Sequence, residues 1–169
     1  MTKPREAKLG IGYLRDILSY NPETGDFLWK VSRQGRKFGI PTGYLGRDGA
    51  RTIRIDRTSY LAHRLAWFHY YGQWPKDQID HINCNRSDNR IVNLRESSQL
   101  ENRHNIRKNS NNTSGYKGVS WHADTAKWRA RITYMHKEYH LGLFDTAEEA
   151  HAAYCRAAIL FYGEFARFA

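Results

Sequence analysis

At 169 residues the chain has room for one or two small domains, and its 40% apolar content is enough for a core. Lys and Arg number 27 against 17 Asp and Glu, a formal net charge of +10, and 14% of the residues are aromatic. That balance points to nucleic acid, because cations bind phosphates and rings stack on bases, and with no 18-residue apolar run it argues against a membrane protein.

Met1 is followed by no hydrophobic leader, so a cytoplasmic location is expected. Tyr13, Leu14, Ile17 and Leu18 have helical spacing, which predicts that residues 10–20 open with a short amphipathic helix. Pro22-Glu23-Thr24-Gly25 reads as a turn and Phe27-Leu28-Trp29 as a strand, together a small packing unit. From Lys30 to Arg64 nine Lys or Arg face two acids, Asp48 and Asp56, and five glycines interrupt the stretch. Thr52-Ile53-Arg54-Ile55 alternates, turns at Asp56-Arg57 and returns through Thr58–Leu61. This basic, glycine-interrupted hairpin is a candidate surface for tracking DNA phosphates, with Arg51, Arg54 and Arg64 as contacts. Residues 62–71 have the pattern of a helix, stopped by Gly72-Gln73-Trp74-Pro75. His63, at its start, ranks below His81 as a group for chemistry.

The stretch IDHINCNRSDNRIVNLRESSQLENRHN, residues 79–105, carries the chemistry. Asp80-His81 ends a short extended segment, and Asn83, Asn85, Ser87, Asp88 and Asn89 form a turn-rich loop. Residues 91–94 read as a short β-like run, and Ser97 or Ser98 as the cap of a following helix, Glu101 standing three residues after Ser98 as in a capping box. The local order is strand, loop, strand, helix. His81 titrates near neutrality and can take a proton from water. Asp80 and Asn102 offer hard oxygen atoms of the kind Mg²⁺ accepts, with Asn105 as a rival to Asn102. Asn93 offers an amide to orient the imidazole. A general base, an oxygen-ligated metal and an orienting amide are the parts needed to hydrolyse a phosphodiester.

Asp80-His81, Asn83-x-Asn85-Arg86-Ser87-x-Asn89-Arg90, Asn93-Leu94-Arg95 and Glu101-Asn102 together resemble the HNH endonuclease motif. The likeness is to the branch of phage-encoded homing endonucleases in which Asn replaces the third His. It implies an α+β fold with a ββα-metal core, His81 as general base, Asn93 as its orienting residue, and Asp80 and Asn102 as ligands of Mg²⁺ or another divalent cation such as Mn²⁺. It also implies double-stranded DNA as partner and a phage or bacterial gene. Cys84 and Cys155 are too far apart to form the close ligand pairs of a structural zinc site. No obligate protein partner is inferred.

Residues 108–114 read as a polar, asparagine-rich linker, which divides a nuclease domain (1–107) from a second domain (115–169). The second domain reads as strands at 116–121, 127–133 and 138–144, then a helix opened by a Thr146–Glu149 capping box. Ala150, Ala153, Tyr154, Ala157 and Phe161 form the helix's inner face. Tyr-Lys-Gly-Val at 116–119, Leu-Gly-x-Phe-x-Thr-Ala-Glu-Glu-Ala at 141–150 and Gly163 resemble the Apetala/ethylene-response-factor DNA-binding domain. That likeness implies a three-stranded sheet that reads the major groove, backed by a helix. Lys117, Arg129, Arg131 and His140 are the candidate DNA contacts. Ser120, His122 and Glu138 stand where that family commonly carries basic residues, so a different base sequence is expected. Residues 108–169 carry 8 basic and 6 acidic side chains, so the N-terminal part supplies most of the charge.

The expectation is a metal-dependent, site-directed DNA endonuclease of the homing type. The alternative is a DNA-binding regulator in which the HNH-like core is only a scaffold.

Overall fold

The computed structural model describes residues 6–32, 37–104 and 111–168. Arg33 and Arg36 of the basic stretch, Asn105, and residues 108–110 of the expected linker lie outside the described residues. The chain divides into two compact units, residues 1–98 and 99–169. That division falls before helix α3 (Gln99–His104), whereas the sequence reading puts the linker at 108–114. Among the described residues no helix is long and apolar enough to cross a membrane.

In the first unit, helix α1 (Ile11–Ile17) runs straight into strand β1 (Leu18–Tyr20). The short helix expected to open residues 10–20 thus ends at Ile17. Leu18, Ser19 and Tyr20 pair antiparallel with Trp29, Leu28 and Phe27 of β2 (Phe27–Trp29), and this pairing overrides local helical spacing. The connecting turn is held by Asn21, whose Oδ1 accepts the N–H groups of Glu23 and Thr24 at 2.9 and 3.3 Å.

Strands β3 (Tyr44–Leu45), β4 (Arg51–Ile55) and β5 (Thr58–Leu61) form an antiparallel sheet in that order. The two-residue turn between β4 and β5 has φ of 44° at Asp56 and 67° at Arg57, the left-handed pair that suits a twisted hairpin. Helix α2 spans Ala62–Tyr71 and ends at Gly72 with φ of 76°. Its Leu65 and Ala66 join Leu14, Leu18, Phe27, Ile53 and Ile55 in a core from which water is excluded.

Strand β6 (Gln78–His81) pairs antiparallel with β7 (Leu94–Ser97), Asp80 opposite Arg95 and His81 opposite Leu94. Ile91–Asn93, expected to be β-like, is instead a single 3-10 turn. Asn93 N–H bonds the carbonyl of Arg90 at 2.9 Å, so the chain turns until it meets its partner strand at Leu94.

The second unit contains α3 and a sheet ordered β10-β9-β8, with β8 at Val119–His122, β9 at Lys127–Tyr134 and β10 at Lys137–Phe144. Helix α4 (Ala147–Tyr162) packs on it, opened by the Thr146–Glu149 capping box with both reciprocal bonds formed. The first strand starts three residues later than the sequence suggests. Residues 114–118 are held in a turn by Ser114, whose Oγ donates toward the carbonyls of Tyr116 and Val119. Gly118, at φ of +75°, presses on the ring of Tyr154; a Cβ there would lie 2.1 Å from a ring carbon. Only glycine fits.

The most consequential departure from the sequence reading is Arg64. It is buried, its Nε and a terminal nitrogen fork onto the two oxygens of Glu6 at 2.6 and 2.8 Å, and its other terminal nitrogen bonds the Asp77 carbonyl at 2.6 Å. Removing one partner strands a buried charge. Glu6→Ala should therefore lower the unfolding free energy of the first unit by about 3–5 kcal/mol. Urea denaturation checks this, and an unchanged midpoint would refute the structural role.

Candidate functional site

The short β6–β7 ladder fixes two side chains that chemistry can use. Asp80 is buried and ion-paired across the strands, with Arg95 Nε and a terminal nitrogen both on its Oδ2, at 3.0 and 2.8 Å. His81, next in the chain and last in the strand, is also buried. Its ring meets that of His63 edge to face, centroids 5.0 Å apart at 86°. Its Nε2 lies 3.3 Å from Asn89 Oδ1. Burial pushes the imidazole pKa below its ordinary value, against the opposing effects of the Asn89 bond and the Asp80 charge. At pH 7 the ring is neutral, the form that accepts a proton.

The loop between the two strands has little regular structure, and asparagine side chains bond its backbone. Asn93 Oδ1 accepts the Asn83 N–H at 3.0 Å while its Nδ2 donates to the Asp88 carbonyl at 2.8 Å. Its own carbonyl accepts from Ile82 N–H at 2.9 Å. Asn83 Oδ1 in turn accepts the Asn85 N–H at 2.8 Å, and Asn85 Oδ1 the Ser87 N–H at 3.1 Å. Arg90 grips Asp88 at 2.8 and 2.6 Å, and that grip holds the Asp88 carboxyl down to about 2. Asn93, expected to orient the imidazole, thus acts on the loop that follows His81. The amide that touches the ring is Asn89.

Asn102 lies half-buried on α3, which groups with the second unit. Among the described residues no three His, Cys, Asp or Glu side chains cluster as a metal cage. The donors brought forward by the sequence are instead a carboxylate and an amide oxygen, a set that suits a hard ion keeping most of its waters. Asp80 is the carboxylate of that set, and Arg95 occupies its Oδ2.

The residues expected to face DNA divide into distinct groups. Arg64 is withdrawn, because its guanidinium is buried against Glu6. Arg51 and Arg54 lie three residues apart on β4 and so point to opposite faces. Arg51, half-buried on the core side, pairs with Asp26 at 3.0 Å, whereas Arg54 is exposed. In the second unit the strand register puts Ser120 opposite Arg129, and Arg131 opposite His140. These four share the sheet face opposite the one that carries the buried Val119, Ala130 and Ile132. Glu138 shares that face too, and pairs with Arg131 at 3.1 Å. Lys117, partly buried, precedes Gly118 in the turn before β8.

Sequence reasoning gave no role to Asn89, Arg95 or Glu138. The first two stand inside the quoted motif, and the register that gives Arg95 its partner appears only once β6 and β7 are paired.

Comparison with known proteins finds two family models in the chain. One described as HNH endonuclease matches residues 60–104, and one described as AP2 domain matches residues 114–164. Protein 3.8 of Escherichia phage T7 is 35% identical over 107 residues, covering 63% of this chain and 88% of that protein. APETALA2-like protein 2 of Oryza sativa subsp. indica is 45% identical over 51 residues, 30% of this chain and 12% of that protein. AP2-like ethylene-responsive transcription factor ANT of Arabidopsis thaliana is 33% identical over 137 residues, 78% of this chain. The chain spans only 22% of that last relative. No solved structure matches the chain.

Proposed function

This chain belongs to one family with protein 3.8 of Escherichia phage T7 and joins an HNH endonuclease domain to an AP2 domain; from that premise we propose that it is a metal-dependent, site-directed DNA endonuclease of the homing type. The observation that carries the reading is a buried imidazole adjacent in the chain to a buried carboxylate, His81 and Asp80, on a strand whose following loop is fastened by side-chain amides. A protein that only binds DNA needs no such pair.

In this reading His81 takes the proton of the attacking water as its oxygen forms a bond to phosphorus and the bond to the leaving sugar oxygen breaks. Asp80 would be the carboxylate ligand of a divalent cation, Mg²⁺ or a substitute such as Mn²⁺, and Asn102 the amide ligand that the motif implies; a bound ion would supply neutralisation of the charge that develops on the phosphate oxygens. Asn93 keeps the loop after His81 in place. His63 backs the ring edge to face. The rival reading, a regulator with an inert core, draws support from Arg95, which already neutralises Asp80.

His81→Ala separates the two. The nuclease reading expects cleavage at saturating DNA to fall about 10²- to 10⁴-fold, the usual contribution of a general base, with DNA affinity kept. Equal turnover by the variant would remove His81 from the chemistry.

Arg54 supplies phosphate attraction, and Arg129, Arg131, His140 and Lys117 make the second unit the reader of the site. Phosphate contacts position a protein on DNA, while base contacts specify where it stays. Arg129→Ala with Arg131→Ala should therefore cost more in selectivity than in non-specific binding, measured by competition of target against random duplex at two salt concentrations. Arg54→Ala should instead weaken binding to every sequence alike and flatten the salt dependence by about 0.9 log unit, the share of one neutralised phosphate. Undiminished selectivity in the double variant would move the reading function elsewhere.

A further inference from the structure

We propose that Asn89 is a positioning residue that holds His81 in the tautomer protonated on Nε2, leaving the Nδ1 lone pair as the proton acceptor. The inference rests on the reading of His81 as the base. Its support lies in the bonding pattern around the Asn89 amide, which is 1% exposed. One end of that amide lies 3.2 Å from the Ser87 carbonyl oxygen, and the other 3.3 Å from His81 Nε2. A backbone carbonyl can only accept, so the end facing Ser87 must be the NH₂ group. The end facing the imidazole is then the oxygen, which can also only accept. Nε2 must donate to it, and a neutral imidazole that donates from Nε2 carries its lone pair on Nδ1. Reversing the amide would set oxygen against oxygen at Ser87 and is excluded on that ground.

The backbone that carries this amide is held from outside the loop. Tyr20 on β1 donates its hydroxyl to the Asn89 carbonyl at 2.7 Å. Gly25, at φ of +78°, lies so close to the Asn89–Arg90 peptide that a Cβ there would come within 2.6 Å of the Asn89 carbonyl carbon. Ile91 N–H bonds the Pro22 carbonyl at 3.0 Å. The β1–β2 hairpin therefore clamps the segment that carries Asn89, and the tautomer of His81 is fixed by a chain of contacts that reaches the N-terminal hairpin. Asn93 cannot do this, since its amide is occupied by Asn83 and Asp88.

The test is long-range ¹H–¹⁵N correlation on the imidazoles of the full chain, recorded where His81 is neutral, with its signals assigned by their loss in His81→Ala. The expected result is a protonated Nε2 and a bare Nδ1; a protonated Nδ1 in the wild type overturns the proposal with no further variant needed. Asn89→Leu should give a mixture of tautomers. Its kcat should fall roughly tenfold to 10⁴-fold, the upper limit being the cost of holding a catalytic histidine in the wrong tautomer, with KM unchanged. A folded Asn89→Leu protein that keeps the pure Nε2–H tautomer and full turnover also overturns it. If the wild type cuts no DNA with any divalent ion, the nuclease reading fails, while the spectrum still decides what Asn89 holds.

Discussion

The first unit depends on closing the loop from Ile82 to Asn93 without strand pairing. A backbone that leaves a sheet loses its ladder, and its N–H and C=O groups need other partners. Here the partners are side chains: Asn83, Asn85 and Asn93 each accept a nearby N–H, and Asn93 also donates to Asp88. Each such bond contributes only about 1 kcal/mol net, so no single one fixes the loop. Their number does, together with the burial of Asn89 and Asn93. Asparagine suits this task because its amide offers a donor and an acceptor at once and it tolerates turn geometry. The composition of the loop, which on the sequence alone suggests only turns, is what allows His81 and Asp80 to be held at the end of a short two-stranded ladder.

The N-terminal hairpin is thereby part of the centre. Tyr20, Pro22 and Gly25 come from a segment that reads as a packing unit ahead of the motif, yet all three touch residues 89–91. Arg64 belongs to the same support. It ties the N-terminal Glu6 to the Asp77 carbonyl, one residue ahead of β6. Cations in this unit thus do two jobs. Arg64 and Arg95 bind internal carboxylates, while Arg54 remains exposed on the outer face of β4.

Much of the fold was legible where local signals and tertiary contacts agree. Helix α2 and the turn at Asp56-Arg57 lie where spacing puts them, as does the Thr146–Glu149 cap of α4. The sequence misleads where a distant partner decides. Leu18 continues the helical spacing of α1, but β2 claims it as a strand residue. Ile91-Val92 has β propensity, yet Asn93 must first turn the chain to reach Asn83 and Asp88. Arg64 looks like one more cation in a basic stretch, and nothing local announces that Glu6 will pair with it. At the centre, Asp80 and His81 could be singled out because their types fit the chemistry. The contacts of Asn89 and Arg95 could not, because they arise from loop closure and strand register.

The two units divide charge unevenly. The second carries little net charge and pairs Arg131 with Glu138 on its outer sheet face, which suits a surface that discriminates among bases better than one that grips phosphates. The first carries most of the excess cations and the His81–Asp80 centre. The most direct measurement is incubation of the full chain with supercoiled plasmid in Mg²⁺ and, in parallel, with the ion chelated. Nicks at preferred sites with Mg²⁺ and intact plasmid without it are the expected result. Tight DNA binding with no cleavage under any divalent ion would contradict a nuclease centre at His81 and Asp80, and would leave the HNH core as a scaffold for a DNA-binding protein.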